Sequence, residues 1–180
     1  VTIRGPFYAG IEVKSPAEQG GDISVGAIRQ AVDAGREVWK AYKTKPTYCA
    51  AVGHEIARGS HERAMEWHEL YGVKVSLIRG RYLLYLLLKH KTTLPQDPML
   101  DIQRLFRNFC GWFGKTELIE YFKAYFARRI EELHERGDKD GIEGLGLLGK
   151  ETSKEIERCF PEEERQPRGS YTPTRIYMRR

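Results

Sequence analysis

The first half of this chain alternates short apolar runs with stretches of helical spacing, and that alternation narrows the fold more than any other feature. Phe7, Tyr8, Ala9, Ile11 and Val13 form the first run. It reads as a β-strand, in which side chains alternate between two faces. Ile28, Val32, Gly35, Val38, Trp39 and Tyr42 then recur with a helical period, behind Ser24 as N-cap. Residues 47–53 read as a short buried strand. Ser60 is the expected cap of a second helix that carries Ala64, Trp67, Leu70 and Tyr71 and stops at Gly72. Residues 73–78 predict a third strand and 81–90 an apolar helix. Strand and helix alternate three times, so the expected class is α/β with at least one parallel pair.

After Pro95 and Pro98 the pattern changes. Residues 99–110 and 115–136 predict two helices, separated by Gly111 to Gly114. Leu118, Ile119, Phe122, Tyr125, Phe126, Ile130 and Leu133 give the second a broad apolar side. Residues 137–149 are rich in glycine and charge and read as a loop, with one more short helix over 151–159. The chain ends in a polar tail carrying Arg175, Arg179 and Arg180. The expected organisation is an α/β core over 1–95 and a helical accessory region with a basic tail over 96–180. At 180 residues the chain can bury one good core.

Composition excludes several classes. Hydrophobic residues make up 41% and charged residues 31%, the balance of a globular protein rather than a disordered one. The longest apolar run, 82–88, lies between Arg81 and Lys89 and is far too short to span a bilayer. No apolar leader follows the first charge. Cys49, Cys110 and Cys159 are odd in number and form no CxxC pair, which speaks against a zinc ribbon or disulfide scaffold. A reducing cytoplasm is the expected location. The net charge of +5 favours a polyanionic partner.

Glu12 and Lys14 end the first apolar run, one residue apart, before Ser15-Pro16 and Gly20-Gly21. On a strand they share a face, while Ile11 and Val13 are expected to pack into the core. A carboxylate suits a hard cation such as Mg²⁺, and an adjacent ammonium suits a phosphate or an attacking water. The plainer alternative is an exposed strand with a paired Glu and Lys.

The order of elements around this pair resembles the PD-(D/E)xK nuclease superfamily, the core of many restriction endonucleases, junction resolvases and repair nucleases. Ile11-Glu12-Val13-Lys14 is similar to the family's E-x-K strand, and Ala27-Ile28-Arg29-Gln30-Ala31 to the helix after it. Residues 72–78 with Leu83-Leu84 are similar to the late strand and closing helix. The resemblance covers roughly residues 7–90 and rests on a short motif. It implies a restriction-endonuclease-like mixed sheet flanked by helices, and a DNA endonuclease using Mg²⁺, with Mn²⁺ as substitute. Glu12 would be a metal ligand, joined by the Val13 carbonyl. Lys14 would position water or neutralise the developing phosphorane, and Gln30 would touch phosphate or water. Arg29 and the tail arginines Arg175, Arg179 and Arg180 would contact DNA. A double-strand cutter of this kind is expected to be a homodimer.

The family also places an aspartate before the E-x-K strand, and residues 1–11 hold no acid. Either it lies upstream of Val1, or another acid substitutes, Glu18 and Asp22 being nearest, or the site is dead. In the last case the chain would be a non-catalytic nucleic-acid-binding or assembly subunit. His54, His61 and His68 are spaced too widely for a tight helical metal pair and read as solvated or half-buried. The aromatic and basic residues of 104–129 suit either a DNA-facing surface or, the preferred reading, an amphipathic helix pair.

Overall fold

The structure, a computed structural model, describes residues 2–3, 9–14, 21–43, 48–92 and 109–161. Five strands form one sheet in the order β1-β2-β3-β4-β5. They are β1 (Thr2–Ile3), β2 (Ala9–Val13), β3 (Tyr48–Gly53), β4 (Val75–Arg79) and β5 (Gly111–Phe113). β1 pairs antiparallel with β2, and β2 to β5 are all parallel. The helices are α1 (Val25–Tyr42), α2 (Ser60–Tyr71), α3 (Gly80–Thr92), α4 (Lys115–Arg136) and α5 (Lys139–Cys159). The predicted α/β class with parallel pairing is thus present, with more helix than strand.

The chain divides into two compact units. The first holds the sheet, α1, α2 and residues 80–87 of α3. The second holds residues 88–92 of α3 with α4 and α5.

In the sheet unit, α1 and α2 cover the same face. Ala27, Ile28, Ala31 and Val32 of α1 and Ala64 of α2 share one core with Cys49, Ala51, Val75 and Leu77 of β3 and β4. Successive parallel strands advance one position each way, and right-handed crossovers then place their helices on one side. Ser24 caps α1 as expected, its hydroxyl accepting from the Ala27 N–H at 3.3 Å. Ser60 does not cap α2. Gly59, in the left-handed region at φ 82°, takes that position, and the Ser60 hydroxyl donates instead to the Ile23 carbonyl at 2.9 Å.

Gly10 sets how closely α1 approaches β2. A Cβ there would run into the Ala31 carbonyl and the backbone of Gly35. Consequently the helix packs on the face of Gly10 and Glu12, and the sequence expectation for β2 is inverted. Ile11 and Val13 point to the opposite face, where Ile11 is half-buried and Val13 is 55% exposed.

Two further expectations are corrected. Gly111 to Gly114 is not a helix separator, since Gly111–Phe113 is the buried edge strand β5. Residues 139–149 are not a loop but the first half of α5. Asp138 supplies the reason, its side chain accepting from the Gly141 N–H at 2.9 Å and starting the helix. Within the helical unit, Leu118, Phe122, Tyr125 and Phe126 of α4 are buried, as are Thr152 and Ile156 of α5. Gly149 leaves room for the Phe126 ring. The predicted helix over 99–110 lies outside the described residues except for Phe109 and Cys110, which are not helical, and the tail arginines lie outside them altogether.

Candidate functional site

The C-terminal edge of the parallel strands carries the site. In open α/β sheets this edge is where ligands bind, because strand ends and helix N-termini converge there. Glu12 stands at the end of β2, and Lys14 follows it on the same face. The Lys14 ammonium lies 2.9 Å from Glu12 Oε1, with 20% of the lysine side chain and 27% of the glutamate side chain exposed. The Lys14 N–H donates to the Val52 carbonyl at 2.8 Å, extending the β2–β3 ladder by one residue.

The neighbouring strand keeps this pair uncrowded. Glu12 is in register with Ala51, and Lys14 lies beside Gly53. Gly53 itself is closely covered, since a Cβ there would sit 2.6 Å from the Gly21 carbonyl and 2.9 Å from Ile23 Cγ1. The segment 21–23 therefore passes over the end of β3. Three backbone bonds hold it: His54 N–H to Gly21 carbonyl at 2.8 Å, Ile23 N–H to Glu55 carbonyl at 2.7 Å, and Ala57 N–H to Ile23 carbonyl at 3.0 Å. Ile23 is fully buried, while Asp22 beside it is exposed.

The other predicted residues are placed as follows. Arg29 and Gln30 are exposed on α1, and Arg29 lies 3.7 Å from Asp33 one turn on. Glu12 and Lys14 are thus brought into contact, while Arg29 and Gln30 sit on the solvent side of the helix. Arg175, Arg179 and Arg180 lie outside the described residues. Trp112, Tyr121 and Tyr125, from the aromatic and basic stretch, are buried and serve packing rather than an exposed stacking platform.

A second acid–base pair was not singled out from the sequence. Arg79 ends β4 in register with Gly53, on the same face as Glu12 and Lys14. Its guanidinium pairs with Glu55 and lies over the Trp112 ring, 5.0 Å from the centroid, with only 12% of its side chain exposed. The signal was available, because a basic residue ends the third apolar run as Lys14 ends the first.

His61 is half-buried in α2. Its Nδ1 accepts the Trp112 N–H at 3.1 Å, so its own proton sits on Nε2. Burial pushes its pKa below the ordinary value of 6.5, against a smaller raising effect from Glu62. Cys49 is driven to about 12 by burial, and burial also raises Cys110, so neither is a ready nucleophile. Among the described residues no three His, Cys, Asp or Glu side chains converge to hold a metal ion. Glu12 supplies one carboxylate at the pair, and Mg²⁺, which gives up its water reluctantly, is held by one or two carboxylates together with substrate phosphates. The described residues alone therefore do not make a complete Mg²⁺ site. No helix among them is long and apolar enough to cross a membrane.

No protein-family model, no curated protein and no solved structure matches the chain.

Proposed function

We propose that the chain is a DNA endonuclease built on a restriction-endonuclease-like core, hydrolysing phosphodiester bonds at Glu12 and Lys14. One observation carries the reading: the contact between these two side chains at the end of β2, on the face that α1 covers. An antiparallel partner precedes that strand and a parallel one follows it, in keeping with the resemblance. In such a reaction water attacks phosphorus and gives up a proton, while the bond from phosphorus to a deoxyribose oxygen breaks and that oxygen leaves as a protonated hydroxyl. Negative charge grows on the phosphoryl oxygens, and a lysine ammonium held at that point lowers its energy. Glu12 orients the ammonium before substrate arrives.

Mg²⁺, or Mn²⁺, is the cation a nuclease of this type uses, and Glu12 is its described ligand. The second carboxylate is to be sought among Glu18 and Asp22, which lead into α1. Gln30 and Arg29 on that helix, and the tail arginines, are the proposed phosphate contacts.

The second reading is a non-catalytic nucleic-acid-binding or assembly subunit. It is favoured by the absence, among the described residues, of any group of three His, Cys, Asp or Glu side chains placed to hold a metal ion. Incubation with supercoiled plasmid and Mg²⁺ tests the first reading. Nicking or linearisation that stops on chelation, and that is lost in Glu12→Ala and Lys14→Ala, supports it. Cleavage that survives both substitutions removes these residues from the chemistry. Calorimetric titration with Mn²⁺ separates the two readings, since the subunit should bind it weakly and identically with or without Glu12.

A further inference from the structure

One end of the sheet is closed by a side chain rather than by a strand. β5 stands last in the sheet order, and among the described residues it pairs on one side only, with Ser76, Leu77 and Ile78 of β4. An edge strand leaves backbone groups on its outer side without a sheet partner. Trp112 directs its N–H to His61 Nδ1 of α2, at 3.1 Å, rather than to β4. Gly111 makes room for the imidazole. Its φ of 91° favours glycine, and a Cβ there would lie 2.8 Å from His61 Cε1 and 3.0 Å from Nδ1.

The Trp112 indole is buried and lies under the Arg79 guanidinium, 5.0 Å from the ring centroid. Titratable groups approach from each element packed here. Glu62 is on α2 itself. Cys110 precedes β5, and its thiol donates to the Ala64 carbonyl at 3.9 Å. Lys74 precedes β4 and acts on Cys110, while Arg79, with its partner Glu55, covers Trp112. Of these only Glu62 acts on the imidazole, raising its pKa by less than burial lowers it.

We propose that His61 is an acid-operated latch on the edge strand: protonation at Nδ1 releases Gly111–Phe113 from β4 while the rest of the sheet stays paired. The proposal does not rest on the nuclease reading. A protonated Nδ1 is a donor, and it faces the donor N–H of Trp112. The contact that held the strand then opposes it. β5 is where the sheet gives way, because three register pairs hold it to β4 and five join β3 to β4. Release uncovers the edge of β4 and lifts the indole from Arg79.

The direction follows from linkage. The latched imidazole has a pKa below 6.5 and the released one the ordinary value, so the released form takes the proton more readily. The latch is closed above about pH 6.5. Below it the ratio of released to latched strand rises by about tenfold per pH unit, and levels off once pH passes the latched pKa.

Nuclear magnetic resonance of the full chain, with its tryptophans labelled by nitrogen-15, tests this. Trp112 reports on β5, and Trp39 in α1 and Trp67 in α2 are internal controls. As pH falls from about 8 to about 5, the Trp112 amide is expected to titrate with a midpoint below 6.5. Its hydrogen exchange, relative to an unfolded chain at the same pH, should quicken about tenfold per unit over that interval. The Trp39 and Trp67 amides should keep their protection. His61→Gln offers an oxygen acceptor that does not titrate, and should abolish the Trp112 response. A wild-type Trp112 amide indifferent to pH overturns the proposal, and so does a response that persists in His61→Gln. Loss of protection at Trp39 and Trp67 with the same midpoint also overturns it, since the whole sheet unit would then be unfolding. Both wild-type readings stand without any variant.

Discussion

Two acid–base pairs close neighbouring strands on one face of the sheet, and they differ in what fixes the cation. Glu12 and Lys14 come from one strand, two residues apart, and meet because a strand places them side by side. Glu55 and Arg79 come from separate strand ends, and the arginine is also laid on Trp112 of β5. A planar guanidinium stacked on indole and paired to a carboxylate is pinned from two directions. A lysine on a four-carbon stem re-aims readily when a phosphate arrives. Arg79, with little of its side chain exposed, links the ends of β3, β4 and β5, whereas Glu12 and Lys14 join two positions of a single strand.

Three substitutions press on that contrast. Gly10→Ala drives a methyl into the backbone of α1 and disturbs the strand bearing Glu12 while leaving Arg79 alone. Overpacking against backbone should cost about 3 kcal/mol of stability, read from the urea midpoint. Lys14→Met should lower the rate of plasmid cleavage about 100-fold, the loss expected when a donor to the transition-state charge is removed. Its urea midpoint should stay near wild type, since a partly exposed ion pair contributes little. Arg79→Leu reverses this pattern. It loses the indole contact and should cost about 1–2 kcal/mol with cleavage nearly intact. If Arg79→Leu abolishes cleavage without loss of stability, the roles of the two pairs are misassigned.

The smallest effect is a pH dependence from His61. Its folded pKa lies below the unfolded value of 6.5, so the unfolded chain binds more protons as pH falls. The contribution of His61 to stability is therefore complete above about pH 6.5 and is lost as pH drops below it. Protonation at Nδ1 also removes the acceptor of the Trp112 N–H. Urea midpoints across that range should fall, and His61→Gln should flatten the fall.

Much of the sheet unit is legible from residue periodicity. Ser24 marks the start of α1, Gly72 the end of α2, and the three apolar runs are strands. The helix over 115–136 has the predicted bounds, and Leu118, Phe122, Tyr125 and Phe126 of its predicted apolar side are buried, with Tyr121 added to them. Edge strand β5 was not legible, because Gly111-Trp112-Phe113 is too short to display alternation and gains its strand character from pairing with β4. The glycines of 141–149 concealed α5. Glycine lowers helix propensity by about 1 kcal/mol each, and packing against α4 outweighs that cost.

The site divides along the same line. That Glu12 and Lys14 touch follows from two-residue spacing on any strand, and the sequence alone determined it. Which face they occupy did not follow. Ile11 and Val13 are the more apolar residues, and local pattern assigns them to the core. Tertiary structure decided otherwise, because Gly10 lets the backbone of α1 approach one side of β2 only, and Glu12 shares that side. The Arg79 clamp likewise needed tertiary structure, since Glu55, Arg79 and Trp112 are brought together only by the parallel register of β3, β4 and β5.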